Sequence, residues 1–217
     1  MHASRRASIA NGGLPPRSVL RSALALGAAL LLLCVAVAGL WYQDWRYSLP
    51  TPRPANLAQP APGQRVFADD LGAAALVADG RPLWLHFTSS ECPCSRFAAD
   101  HVRALVRDCG ARVRFVAVEE GEGGSGVELG MPEIADPDGR IARRFGVYST
   151  PQAVLLAGDG SLWYRGNYNA SRYCSDARSA YARLALEALL GGAPRPEFPA
   201  PATVAYGCAL PHAEGAP

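Results

Sequence analysis

The sequence predicts an α/β domain in which a mixed sheet is flanked by helices, preceded by one transmembrane helix. Apolar runs with the two-residue alternation of strands take turns with runs of helical spacing, which calls for a partly parallel sheet covered on both faces. The stretch Leu83–Cys94, LWLHFTSSECPC, condenses a strand, a polar turn and a helix start into one short unit. Ahead of both, Ala23–Tyr42 is free of charge. A helix of about 20 apolar residues spans the roughly 30 Å hydrocarbon core of a bilayer.

Residues 1–22 are polar and basic, contain Gly and Pro, and are read as a disordered N-terminus. Their only charges are Arg5, Arg6, Arg17 and Arg21. The positive-inside rule therefore leaves them in the cytoplasm and places everything after Trp41 on the far side of the membrane. The basic residues, all arginine, and the many alanines suggest a GC-rich bacterial genome and hence a bacterial inner membrane. Residues 23–42 form the anchor, with Trp41, Tyr42, Trp45 and Tyr47 as its interfacial aromatic belt. A cleaved signal peptide competes, because Ala36-Val37-Ala38 resembles a small-residue cleavage site. The apolar run is long for a signal peptide, which favours an uncleaved anchor, and both readings export the domain. Residues 43–63 include LPTPRPANLAQPAPG and are expected to form an extended, semi-rigid spacer.

The folded domain is expected over residues 64–192. Val66–Ala78 has helical spacing; Leu83–Thr88 and Arg112–Val118 alternate and are rich in bulky apolar side chains, as strands are. Between those strands, SRFAADHVRALVRDCG is an amphipathic helix ending on Gly110. The Gly121–Gly126 loop connects onward, Pro132–Asp136 is a short extended segment and Gly139–Phe145 a short helix. Gln152–Ala157 and Ser161–Arg165 flank Gly158-Asp159-Gly160, a hairpin signal. Asp176–Leu190 is a patterned helix stopped by Gly191-Gly192. Residues 193–217 form a Pro-rich, loop-like tail that nevertheless holds Tyr206-Gly207-Cys208.

Charge argues against nucleic acid. Four of the 21 basic residues precede the anchor, so the exported part is close to neutral and slightly acidic. Cys92, Cys94, Cys109, Cys174 and Cys208 lie beyond the anchor. An oxidising compartment permits disulfides there, and an odd number of cysteines leaves a thiol over. Pro93 suits the first helical position, where a missing N–H costs nothing. Cys92 then falls at or beside the N-cap, where the helix dipole stabilises a thiolate and lowers the thiol pKa. Cys92 is the candidate nucleophile, expected to face solvent.

Over Gln64–Gly192 the sequence resembles the thioredoxin superfamily, most closely its membrane-anchored bacterial thioredoxin-like and redoxin branches. Three matches carry the resemblance. Phe87 is followed five residues later by Cys92 in a strand–turn–Cys–helix unit; Val147–Pro151 (VYSTP) is similar to the family's cis-proline loop; VLLAGDGSLWYRG is similar to its closing hairpin. One residue separates Cys92 from Cys94 where the family has two, and Glu91 stands where an aromatic is usual. The block GNYNASRYCSD is similar to a little-characterised thioredoxin-like family.

The resemblance implies an extracytoplasmic thiol–disulfide oxidoreductase acting on protein thiols and disulfides, with Cys92 attacking and no cofactor. Its resolving partner is Cys94 or, alternatively, Cys174. A Cys174–Cys208 disulfide is the structural option; it would staple the tail and contribute roughly 3–4 kcal/mol. Thr150 and Pro151 are expected beside Cys92, ready to pair with an extended substrate chain. His86 reads as a satisfied core residue, and Cys109 as a packed one. Cys92 and Cys94 with a histidine such as His101 would suit a soft ion such as Cu(I), although no complete ligand set is defined. A copper metallochaperone, a peroxidase and a non-catalytic interaction domain remain the alternatives.

Overall fold

The computed structural model describes residues 17–66, 79–121, 124 and 126–211. The chain divides into two compact units, Met1–Asp44 and Trp45–Pro217. Helix α1, Arg17–Ser48, extends the expected span at both ends and is long and apolar enough to cross a membrane. Its large apolar side chains, Leu32 and Leu40 among them, are exposed.

The second unit is built on β1 (Leu83–Thr88), every residue of which is buried. Alternation divides its side chains between two cores. Leu83, Leu85 and Phe87 meet Phe145 and Val147 on one face. Trp84 meets Val102, Leu105 and Tyr168 on the other. A strand buried on both sides needs layers above and below it. Helix α2 (Pro93–Cys109) supplies one layer through its apolar face of Ala98, Val102 and Leu105.

Parallel to β1 lies β2 (Arg114–Glu119), followed by β3 (Glu133–Ala135). Helix α3 (Arg140–Phe145) then leads into β4 (Ser149–Thr150). The hairpin β5 (Gln152–Leu156) and β6 (Leu162–Gly166) returns antiparallel, completing the sheet order β3-β2-β1-β5-β6. This is the thioredoxin-like three-layer arrangement: a mixed sheet flanked by helices.

Two elements differ from expectation. Strand β2 starts later than Arg112, because Arg112 and Val113 donate to Cys109 O and close the turn after α2. The helix expected from Asp176 is divided. Ala177–Ser179 forms a 3₁₀ turn capped by Asp176, whose side chain accepts from Arg178 N, and α4 proper is Tyr181–Leu190. Side-chain bonds of this kind compete with helix continuation. The helix expected at Val66–Ala78 lies, apart from Val66, outside the described residues, as does part of the Gly121–Gly126 loop.

The spacer and the tail are corrections. Residues 49–63 do not stand clear of the domain but line it. Leu57 is buried in the Phe145 core, Gln59 Nε2 donates to Gly146 O, and Arg165 Nη1 donates to Pro60 O. Beyond Gly192 the chain is also docked. Asn167 Nδ2 donates to Pro201 O and Val204 O, Asn167 N donates to Ala202 O, and Ala202 and Ala205 are fully buried. A four-residue helix α5 (Ala200–Thr203) precedes strand β7 (Cys208–Ala209), which pairs antiparallel with β4.

Candidate functional site: three sulfurs beside a cis-proline

The site starts where β1 ends. Ser89 O accepts from Cys92 N, and Cys92 is the N-cap of α2 in extended conformation, with Pro93 beginning the helix. The Cys92 side chain sits against the Val147–Pro151 loop, its Sγ 3.3 Å from Thr150 O. The Thr150–Pro151 peptide bond is cis. The fold thus brings Cys92, Thr150 and Pro151 together.

Cys92 is bonded to Cys208 across 116 residues of sequence. One expectation is corrected here: Cys208 is bonded to Cys92 and not to Cys174. The cause lies in the tail. Thr150 pairs with Cys208 and Ser149 with Ala209, and Leu210 N donates to Tyr148 O at 3.0 Å. Gly207 makes that approach possible. Its φ is +121°, and a side chain there would run into the carbonyl of Thr150. Cys208 is delivered to Cys92 by backbone pairing, whereas Cys174 is held in a separate loop at φ 51°. With the tail in place Cys92 is only 1% exposed, so its expected exposure to solvent is also corrected.

Cys94, on the first turn of α2, is a buried free thiol. The Sγ atoms of Cys92, Cys94 and Cys208 lie within 4.8 Å of one another. Burial raises the Cys94 pKa; the positive charge and hydrogen bond of Arg172 pull it back down. Arg172 is held by aromatic rings, 5.3 Å from the centroid of Phe97 and 4.8 Å from that of Tyr173. Cys174 is a half-buried free thiol pushed up to about 12 by burial and by Cys94.

Behind the turn, the buried carboxylate of Glu119 accepts from Ser90 N at 2.7 Å, and burial raises its pKa. His86 is the satisfied core residue expected. Its Nδ1 lies 2.7 Å from the Tyr168 hydroxyl, and burial holds its pKa at about 3. His101 packs edge-on to the same ring. The third ligand atom grouped with Cys92 and Cys94 is therefore a cysteine, not a histidine. Cys109 is packed in the core below Val113 and Phe115.

Sequence reasoning singled out Cys208 but gave it the wrong partner, and it did not find Arg172 or Glu119 at all. One signal was available: glycine directly before cysteine, in a tail otherwise rich in proline and alanine.

Residues 67–209 match the model of a family described as a domain of unknown function, DUF6436. The chain belongs to that family. As a DUF6436 member it is similar to solved structures carrying the same fold. One is an uncharacterized conserved protein of Geobacillus kaustophilus, 19% identical over 75% of this chain and 97% of that one, with a TM-score of 0.54. Another is a hypothetical protein of Sinorhizobium meliloti, 19% identical over 77% of this chain and 96% of its own, with a TM-score of 0.52. A secreted disulfide oxidoreductase of Mycobacterium tuberculosis is similar over 52% of this chain and 82% of its own length, at 22% identity and a TM-score of 0.36. In the DUF6436 chain the cysteine pair is Cys-Pro-Cys, and a third cysteine arrives from the tail.

Proposed function

We propose that this protein is a membrane-anchored, extracytoplasmic thiol–disulfide oxidoreductase acting on protein partners. The observation that carries the reading is a disulfide at the N-terminus of α2 with a further free thiol within 4.8 Å. A thiolate exchanges with a disulfide by attack on one sulfur, and the third thiol lets the mixed disulfide be resolved without an outside reagent. Cys92 takes the nucleophilic role, because the positive end of the helix dipole lowers the cost of its negative charge. Cys94 attacks the resulting mixed disulfide, with Arg172 offsetting part of the burial cost of its thiolate. Thr150 and Pro151 present backbone for an extended partner chain. Helix α1 serves as the anchor, with the basic N-terminus inside the cell.

Cys92→Ser is expected to abolish exchange with an insulin-type protein disulfide. Cys94→Ser combined with Cys208→Ser is expected to trap a covalent partner in cells. Turnover unchanged in both sinks the reading, and function retained with all three cysteines replaced identifies an interaction domain instead. Labelling of intact cells with a membrane-impermeant thiol reagent tests the sidedness. A second reading is favoured by the three clustered sulfurs: once reduced, they form a soft donor set suited to Cu(I). It requires stoichiometric Cu(I) binding by the reduced protein, lost in Cys92→Ser.

A further inference from the structure

The groove beside Cys92 is filled by the protein's own chain. Up to Ala205 the tail is tied down. Asn167 holds Pro201, Ala202 and Val204, the Tyr164 hydroxyl donates to Ala202 O at 3.1 Å, and Thr51 N donates to Ala205 O at 2.8 Å. Tyr206 is fixed as well, its hydroxyl donating to Asn169 O at 2.7 Å. After Gly207 the means of attachment change. Residues 208–210 are held by a short ladder to β4, by the Cys92 disulfide, and by Leu210, which is buried in the core cluster with Phe87, Val118, Ala142 and Val147. An extended strand pairing with the backbone next to a reactive sulfur, with one side chain buried among the apolar residues beside it, is how β-augmentation recognises a peptide.

We infer that Gly207–Leu210 is a tethered mimic of the substrate strand, hinged at Gly207. The substrate is an extended polypeptide segment with a small residue after its cysteine and a bulky apolar residue at the next position. The inference rests on the thiol-exchange reading above and deepens it. In the reduced protein the tail leaves the groove and a partner disulfide enters. The Cys92 thiolate attacks one partner sulfur, a Cys92–partner bond forms, and the other partner sulfur leaves as a thiolate that takes up a proton. Cys94 then attacks Cys92, releasing the partner's second thiol and forming Cys92–Cys94. Cys208 attacks Cys92 in turn, Cys94 leaves and is protonated, and β7 closes the groove. Net, the partner disulfide becomes two thiols while Cys92 and Cys208 become the disulfide seen here. Run in reverse, the cycle oxidises the partner. Each pass is one balanced exchange, and a further pass in the same direction requires a dithiol donor to return Cys92 and Cys208 to thiols.

The probe is the peptide Ala-Tyr-Gly-Cys-Ala-Leu-Pro with its cysteine in mixed disulfide with 2-nitro-5-thiobenzoate, whose yellow thiolate is released on attack. It is offered to reduced full-length Cys208→Ser, to a chain ending at Tyr206, and to full-length Leu210→Asp carrying Cys208→Ser. The last variant keeps the test sound should the shortened chain not fold. A groove competent only while the tail is out predicts release about tenfold faster in both opened variants than in Cys208→Ser alone. Those variants should also prefer the leucine peptide to one with aspartate at that position by roughly tenfold. Equal rates that still depend on Cys92, or no preference between the peptides, overturn the role given to the tail. Release that is unaffected by adding Cys92→Ser to every variant overturns the exchange reading itself.

Discussion

At the scale of single residues, the charge a sulfur can carry is set by its surroundings. Burial raises the Cys94 pKa and Arg172 opposes it. On the proposed exchange reading, the rate at which Cys94 resolves a mixed disulfide follows its thiolate fraction and should climb about tenfold per pH unit above neutrality. Arg172→Gln should move that profile to higher pH and Arg172→Lys should restore part of it; stopped-flow exchange from pH 7 to 10 measures both. An unmoved profile removes Arg172 from the site. His86 shows the opposite sign. Its folded pKa, about 3, is depressed below the ordinary 6.5, so the unfolded chain takes up the proton first. Stability is then complete above pH 6.5 and is lost as pH falls toward 3, by about 2 kcal/mol between pH 7 and pH 5. Glu119, pushed up by burial, contributes in the other direction. The His86→Asn variant, compared with the parent by urea unfolding at both pH values, isolates the histidine and should show the shallower dependence.

Among the elements, the short helix α3 decides where the cis-proline loop sits. It has only Arg140–Phe145 to hold itself together, and isolated helices of that length are not stable. Asp136 compensates: its carboxylate accepts from Ile141 N at 3.0 Å and Ala142 N at 2.8 Å, two donors that a helix start leaves unpaired. At the other end Gly146 turns the chain at φ +69° with Gln59 pressed against it, so that residues 49–63 and α3 brace one another. Asp136→Ala should cost about 1–2 kcal/mol in urea unfolding. Strand β7 depends in the same way on one residue. Gly207→Ala sets a side chain against Thr150 O and should lower the Cys92–Cys208 fraction at a fixed glutathione ratio by roughly tenfold or more. Mass mapping of the disulfides reads that directly, and an unchanged fraction would remove the hinge.

For the molecule as a whole, the Cys92–Cys208 bond closes a loop of 116 residues, long enough to contribute on the order of 4–5 kcal/mol on the chain-entropy account. Reduction, or Cys208→Ser, should lower the urea midpoint accordingly, with the cores on both sides of β1 keeping the domain folded. The thioredoxin-like architecture was legible because its evidence is local and periodic. The alternation of LWLHFT, the proline after Cys92 and the Asp-Gly turn of the hairpin each act within a few residues. The docking of 49–63 and of the tail left no such mark. Those segments are held by buried side chains reaching distant backbone, Asn167 to Pro201 and Arg165 to Pro60, and such pairings have no period to read. Cys208 was visible as a thiol, but its partner depends on a strand of two residues formed only once the fold exists.

Because the chain is pinned as far as Tyr206, a tail released from its strand cannot drift away. Ends joined by so short a flexible stretch meet as though each were present at millimolar level or above, so Cys208 outcompetes any thiol arriving by diffusion at micromolar concentration. On the proposed reading, a protein that first docks alongside raises its own local dose to match and so displaces the resident strand.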